Sequence, residues 1–471
     1  MLAMTGSDYL IFIKKRRAKK TIGGASRSEK NARRDALPIY SKKGKMLDIK
    51  FIRENPELVK KAGVDKGEPD IIGELLDNDE LRRKLQAEAD KLRHRQKELS
   101  RQVGEAYKSG DKEKAEALKS EAKKLSDQVK DLEERQQSVE VEWEKLMLRV
   151  PNIVSEDAPV GSKEANKIIK EWGKIPAFDF EIRDHLDLGQ ILGIIDMERG
   201  AKVAGSAFPL LLGDGARMTR ALIAMMLDLH KKSGFLEVAP PYLANRDAML
   251  GSAQIPKLEE DMYHVASEDL FLIPTSEVPV TNLHAGEVLN EKQLPIYYTA
   301  YSANFRKEAG SYGADTRGLL RVHQFDKVEM VKLVLPEKSE EEHKTLLAQA
   351  EKVLQILEIP YRVVLLATGD MSFASHKVYD LEIWAPAEKK WLEVSSCSNF
   401  LDFQSRRANI RYRPKDGGPL RFVHTLNASG VALPRLLVSL WELNQTERGT
   451  VRIPKALKPY MNGQKEISLR G

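Results

Sequence analysis

Three stretches in the second half of the chain set charged residues inside otherwise apolar runs, where the cost of desolvation calls for a ligand or a partner. The first is Phe305-Arg306-Lys307-Glu308, then a Gly-rich stretch (Ala309 to Gly313), then Arg321-Val322-His323-Gln324-Phe325 and Glu329. It reads as strand, flexible loop, strand. Arg306 and Arg321 suit a phosphate because a guanidinium presents fixed, paired donors. Phe325 offers a face on which a purine or a guanidinium can stack. An exposed hairpin with cross-strand ion pairs, and Phe325 as plain core, would show the same residues.

The second stretch is Trp391-Leu392-Glu393-Val394-Ser395-Ser396-Cys397-Ser398-Asn399. A carboxylate with a hydroxyl is hard-oxygen chemistry that suits Mg²⁺ between phosphates. Strand alternation puts Glu393 with Ser395, so Glu393 and Ser396 converge only if the strand bends or bulges; a polar edge strand is the alternative. The third is Asn427-Ala428-Ser429-Gly430, followed by Arg435 within an apolar helix from Val431 to Leu443. That arginine either sits in a buried ion pair or faces a ligand phosphate. The sequence has no Walker glycine loop, no GxGxxG after a strand, and no His/Cys metal spacing. His323 and His424 read as structural, since nothing supplies them with a paired nucleophile.

These stretches need a scaffold. From about residue 175 onward, strand-type runs mix with amphipathic helices in no βαβ alternation, which predicts an α+β domain on an antiparallel sheet. Before it, Leu81, Leu85, Leu92, Leu99, Val103 and Ala106 follow one another at helical intervals. After the breaker Ser109-Gly110-Asp111, the pattern resumes with Ala115, Leu118, Ala122, Leu125, Val129, Leu132, Val139, Trp143 and Leu146. A narrow apolar stripe on each of two long helices joined by a tight turn predicts an antiparallel coiled-coil hairpin. Its exposed positions carry Arg82, Arg83, Lys84, Lys91, Arg93, Arg95, Lys97 and Arg101. A surface for protein association and a rod gripping a nucleic-acid backbone both fit.

Length and composition bound the rest. At 471 residues, 42% apolar and 31% charged, the chain is expected to form more than one domain. We expect a basic, disordered extension at 1–45, an arm-bearing domain at 46–150, a linker at 151–174 and the α+β domain at 175–471. The net charge of +6 is lopsided: residues 1–45 hold 13 Lys and Arg against 3 Asp and Glu, and the remainder is close to neutral. Three explanations fit the extension: a start assigned too far upstream, a basic tail for RNA, or a targeting peptide. Asp8, Glu29 and Asp35 weaken the last. A single cysteine, Cys397, excludes internal disulfides and multi-thiol metal sites, and points to a cytoplasmic protein. No apolar run approaches a membrane span.

Together these segments resemble the signature motifs of class II aminoacyl-tRNA synthetases. Motif 1 is similar to the helix Gly215 to Lys232 and a strand ending at Pro240, motif 2 to Phe305 through Glu329, and motif 3 to Leu426 through Glu442. Ile273-Pro274-Thr275-Ser276-Glu277, Thr368-Gly369-Asp370-Met371 and Ser396 through Gln404 resemble bacterial-type seryl-tRNA synthetases, as does Arg321 to Phe325. The hairpin at about 79–148 is similar to that family's arm, and Met46 to its usual first residue. The chain departs from the pattern in having Asn427-Ala428 where Asn-Gly or Asn-Asn is usual, and Leu433-Pro434 before Arg435.

The resemblance implies attachment of L-serine to tRNA(Ser), and to tRNA(Sec), through a seryl-adenylate made from ATP. It places Arg306 on the α-phosphate and the serine carboxylate, and Arg435 on the γ-phosphate. Arg321 and Phe325 would bracket adenine, with Lys307, Glu308, Val322, Val394 and Ser395 also on the nucleotide. Glu393 and Ser396 would ligate Mg²⁺. Thr275, Ser276, Glu277, Glu329, Asn427 and Ser429 would surround serine. A homodimer is implied, and no zinc, because one cysteine and these motifs do not fit the zinc-dependent form. A paralogue that activates an amino acid without charging tRNA would keep the same motifs. A silent coiled-coil scaffold would not need Arg306, Glu393 and Arg435 together.

Overall fold

The computed structural model describes residues 47–308 and 317–469. The extension at 1–45 and the glycines at 310 and 313 lie outside the described residues.

Two short helices, α1 (Ile49–Glu54) and α2 (Pro56–Asp65), lead into the long pair α3 (Ile72–Lys108) and α4 (Lys112–Leu148). Each of the long helices has 37 residues, which at 1.5 Å per residue is about 55 Å. The turn follows from its residues. Gly110 takes φ +78°, open to glycine without strain, and Asp111 caps α4 by accepting from the Lys114 amide. Of the expected seam, Leu85, Leu99, Ala106, Ala115, Leu125, Val129 and Leu132 are buried, and Ala89 joins them, while Leu92, Val103, Leu118 and Ala122 are half-buried.

At the base the seam departs from expectation. Leu81 is exposed, and Arg82 occupies the inward position with its guanidinium 4.5 Å from the Trp143 ring centre. Beside it Asp79 is fully buried, bonded by Arg53 at 2.7 Å and also by Arg82 and Arg83. A charged cluster therefore replaces the apolar stripe where the rod leaves the body. Buried Ile52, Val59, Leu75, Leu146 and Met147 form one cluster there with Ala374, Phe400 and Phe403 of the second half.

The second half is built on one sheet. Its strands are β1 (Lys167–Trp172), β2 (Leu236–Glu237), β3 (Ile296–Phe305), β4 (Gln324–Val334), β5 (Tyr361–Leu365), β6 (Lys377–Ala385), β7 (Lys390–Asn399) and β8 (His424–Ala432). In space they run β1-β5-β6-β7-β8-β4-β3-β2. Every pairing is antiparallel except β2 with β3, which is parallel. Helices α5 (Gly213–Lys232), α6 (Ser339–Ile356) and α7 (Leu433–Leu443) supply Met218, Leu222, Met226, Leu346, Val353, Leu437 and Trp441 to the main core.

Alternation along the strands sorts core from site. On β4, Val328 and Met330 join that core while Phe325 and Lys327 line a cavity on the opposite face. On β8, Leu426, Ala428 and Val431 go to the core, and Asn427 and Ser429 to the cavity. Gly430 must stay small: a Cβ there would come within 2.8 Å of His230 Nε2. No helix among the described residues is long and apolar enough to cross a membrane.

Candidate active site

The cavity, of about 560 Å³, opens on the face of β4, β7 and β8 away from the helices. It brings together Arg306, Glu308, Arg321, Val322, Phe325, Glu393, Val394, Ser395, Ser396 and Arg435 with Thr275, Glu277, Asn427 and Ser429. Lys307, Ser276 and Glu329 are not among its lining residues. Lys307 is exposed, and its amide donates to the Asp261 carbonyl at 2.9 Å. Ser276 is fully buried, its hydroxyl without a hydrogen-bond partner. Glu329 sits one layer behind the surface and acts on it through Thr275 and Lys327.

The strand bulge that Glu393 and Ser396 require is present. Glu382 pairs with Glu393 and Leu381 with Ser395, so Val394 is the extra residue of β7. The slip puts Glu393 and Ser396, three residues apart, on the cavity face, while Leu392, Val394 and Cys397 belong to the core. Opposite Ser396 across the pair lies buried Asp380. Burial and the nearby Glu393 push its carboxyl well above the usual range, a hydrogen bond from Ser396 opposes the rise, and its Oδ1 has no partner. Two carboxylates, a hydroxyl and an unsatisfied buried oxygen fit a hard divalent cation.

The arginines are already tied down. Arg435 donates to the Glu393 carbonyl at 2.9 Å and to the Leu320 carbonyl at 3.2 Å, joining β7 to the loop that precedes β4. Arg321 donates to Glu308 at 2.6 Å, and Glu308 itself takes φ +53°. Arg306 stacks over Phe325, 5.2 Å from its ring centre. Of the two groups expected to bracket a purine, Phe325 carries Arg306 and Arg321 carries Glu308, and both line the cavity. His323 bonds the Arg306 carbonyl through Nδ1 at 3.0 Å, and burial drives the His424 imidazole down to about 4.

At the deep end the polar groups hold one another. Lys327 donates to Thr275 Oγ1 at 2.8 Å and pairs with Glu329 at 2.5 Å. Glu277 accepts from Gln404 at 2.6 Å and from Asn427 at 2.9 Å. Burial, reinforced by Glu329, pushes the Glu277 carboxyl up to about 7. Glu329 Oε1 and Asn427 Oδ1 remain buried without a partner. Unsatisfied buried acceptors are costly, and a ligand ammonium or hydroxyl would satisfy them.

Comparison with known proteins fits this geometry. Residues 46–154 match the seryl-tRNA synthetase N-terminal domain, and 261–444 the class II synthetase core domain for G, H, P, S and T. The serine--tRNA ligase of Chloroherpeton thalassium is 49% identical over 88% of this chain and 99% of its own length. The chain belongs to the seryl-tRNA synthetase family. It is a serine--tRNA ligase with a class II core. The synthetase of Pyrococcus horikoshii, solved with ATP, shares 39% identity over 90% of this chain and all of its own, at a TM-score of 0.84. A more distant synthetase, from M. kandleri, solved with tRNASec, is 19% identical at a TM-score of 0.53 and shares the fold.

Sequence reasoning missed several residues that build the synthetase's site. Lys327 is a cation in an apolar strand, the signal that had singled out Glu329. Asp380, between Tyr379 and Leu381, carries the same mark, whereas Gln404 carries none, because its role appears only once distant elements are adjacent.

Proposed function

We propose that this enzyme makes a seryl-adenylate from serine and ATP and then transfers the seryl group to the 3′ end of tRNA(Ser), in two steps within the one cavity. What carries the reading is the deep end of the cavity, where Asn427 Oδ1 is buried without a partner beside Thr275 and Glu277, with Glu329 behind them bonded to Thr275. A small ligand with an ammonium and a hydroxyl matches them. Arg306 and Arg435, at the wider end, meet phosphates. Serine carboxylate attacks the α-phosphorus in line, pyrophosphate leaves, and Arg306 and Arg435 stabilise the charge as it develops. Glu393 and Ser396 would hold Mg²⁺, which when bound neutralises phosphate charge. The 3′-terminal hydroxyl of the tRNA then attacks the acyl carbon of the mixed anhydride, the acyl–phosphate bond breaks and AMP leaves. Val394, Ser395 and Lys307 contribute chiefly through their backbone, and Ser276 by shaping the serine pocket.

The arm at about 79–148, within an N-terminal domain of residues 46–150, would grip the tRNA, and residues 151–174 would link it to the catalytic domain at 175–471. tRNA(Sec) is a second substrate in this reading, as the neighbour solved with tRNASec motivates. The protein works as a cytoplasmic homodimer. In support, the edge strand β2 has one unpaired side, with Leu236 exposed on it.

The test is serine-dependent exchange of pyrophosphate into ATP, run against alanine. A pocket built to bond a hydroxyl rejects the analogue lacking it by roughly 10⁴-fold. Comparable rates with both amino acids would remove the serine assignment.

A further inference from the structure

Beyond the groups proposed for serine and ATP, the same cavity continues between Lys257 on one side and Met371–Ala374 on the other. A turn holds that second wall in part, the Ser375 amide donating to the Ser372 carbonyl at 3.1 Å and the Ser372 and Ser375 hydroxyls bonding at 2.6 Å; the rest of its support comes from outside. The carbonyls of Ser372, Phe373 and Ser375 accept from Lys66 Nζ at 3.3, 3.1 and 2.6 Å. The Phe373 carbonyl also accepts from the Asn152 amide, the Ala374 carbonyl from Asn152 Nδ2 at 2.9 Å, and the His376 carbonyl from the Ser155 amide. Each carbonyl from Ser372 to His376 is thus satisfied by the arm-bearing region or the segment just after it.

Lys66 is the unusual member. It is 7% exposed and forms no ion pair with a carboxylate among the described residues. Burial lowers its ammonium to about 7, nearby Lys257 adding to the effect and Glu68 opposing it. Glu68 instead pairs with Lys257, whose ammonium also lies 5.7 Å from the Phe373 ring centre. A buried cation whose donors all end on backbone oxygens is costly to keep, and a neutral side chain could fill the space. What the charge supplies is a fixed position for a wall that has no strand or helix of its own.

We propose that Lys66 is a positioning residue for the transfer step: it fixes the Met371–Ala374 wall, and the lobe between that wall and Lys257 receives the 3′-terminal nucleotide of the tRNA. The lobe offers a cation for a phosphate of the ribonucleotide end in Lys257, held at its mouth between Glu68 and the Phe373 ring, where an incoming phosphate competes with one carboxylate. The inference rests on the two-step reading above. It separates the base of the arm from the arm itself, since Lys66 and Asn152 lie outside the hairpin that grips the RNA.

The experiment compares the full chain with its K66M variant in two assays, serine-dependent pyrophosphate exchange and charging of tRNA(Ser). Exchange stays within about twofold of wild type, which also shows that the variant is folded. Charging loses between about 10- and 100-fold in kcat, the cost of misplacing a reacting end by an ångström or so, with KM for tRNA unchanged. K66R, which keeps a cation with several donors, recovers most of the loss. Equal losses in both assays would make Lys66 structural, a rise in KM alone would assign it to RNA docking, and unchanged charging would leave the wall without a role; each overturns the proposal. If K66M does not fold, N152A, which removes one side-chain bond to the wall at Ala374 and one to Phe400, is read by the same criteria. Absence of serine-dependent exchange in the wild type would instead overturn the functional reading.

Discussion

The arm and the cavity both abound in charge, but they hold it in opposite ways. On the arm, Arg93 pairs with Glu133, Arg95 with Glu121 and Arg101 with Glu98 and Glu105, all with side chains between 42% and 64% exposed. Such pairs are screened by solvent, contribute little to stability and are readily exchanged for another anion. In the cavity, Lys327 and Glu329 are 7% and 0% exposed, and Glu277 is held by two amides. Breaking one of these leaves a buried charge without its partner, a loss of about 3–5 kcal/mol. On the proposed reading, in which the arm meets RNA, its surface keeps its cations exchangeable. A pocket that must recognise one small molecule fixes every group in advance.

The sharpest way to break this comparison is to remove one region and assay the other. Gln86 and Gln136 face each other across the hairpin, 2.5 Å apart. Joining them with a short turn keeps the base, including Asp79 and its arginines, and removes the rod. Pyrophosphate exchange is expected to persist at the wild-type rate, while tRNA charging falls at least about 10³-fold, the scale of losing several phosphate contacts. If exchange collapsed as well, the arm would be part of the cavity's architecture rather than a separate grip.

A smaller effect is expected inside the cavity. The Glu277 carboxyl, near 7 when folded, lies well above the roughly 4.3 of an unfolded glutamate, so folding takes up a proton between those values. Its contribution to stability is most favourable below about pH 4.3 and is lost as pH rises to about 7, a decline of order 1–3 kcal/mol. In thermal melts followed from pH 4.5 to 7.5, E277Q should show a flatter dependence than wild type. An unchanged slope would mean that Glu277 is ionised throughout and that its amide partners outweigh burial.

How much of this was legible in the chain depends on the range of the contacts. The hairpin could be read because its stripe is local: Leu85, Leu99, Leu125 and Leu132 repeat at helical intervals and are buried where expected. Leu81 misled because Arg82, stacked on Trp143, takes the inward place, an exchange no periodicity reveals. The cavity residues stood out because charge inside apolar strands is rare, and even the bulge at Val394 could be stated as a condition on Glu393 and Ser396. Lys66 could not be found that way. In sequence it is one lysine in a polar turn, and its meaning comes from carbonyls about 300 residues away.

The smallest effect tests whether the arm's pairs are as exchangeable as their exposure implies. Arg95 and Glu121 meet at 3.1 Å across the hairpin, with side chains 64% and 51% exposed. Replacing Glu121 with Gln removes an interaction that solvent already screens, so stability should change by no more than about 0.5 kcal/mol. The freed guanidinium can then take a phosphate. Binding of tRNA should tighten at low salt, and the log–log salt dependence should steepen by roughly 0.7–0.9 if one further phosphate is neutralised. At high salt, where the Debye length shrinks to about 3 Å, the gain should vanish. Pyrophosphate exchange gives the internal control, because Glu121 is far along the rod from any cavity residue. Weaker binding, or an unchanged slope with tighter binding, would place the RNA on another face of the hairpin and leave the Arg95 side a solvated surface.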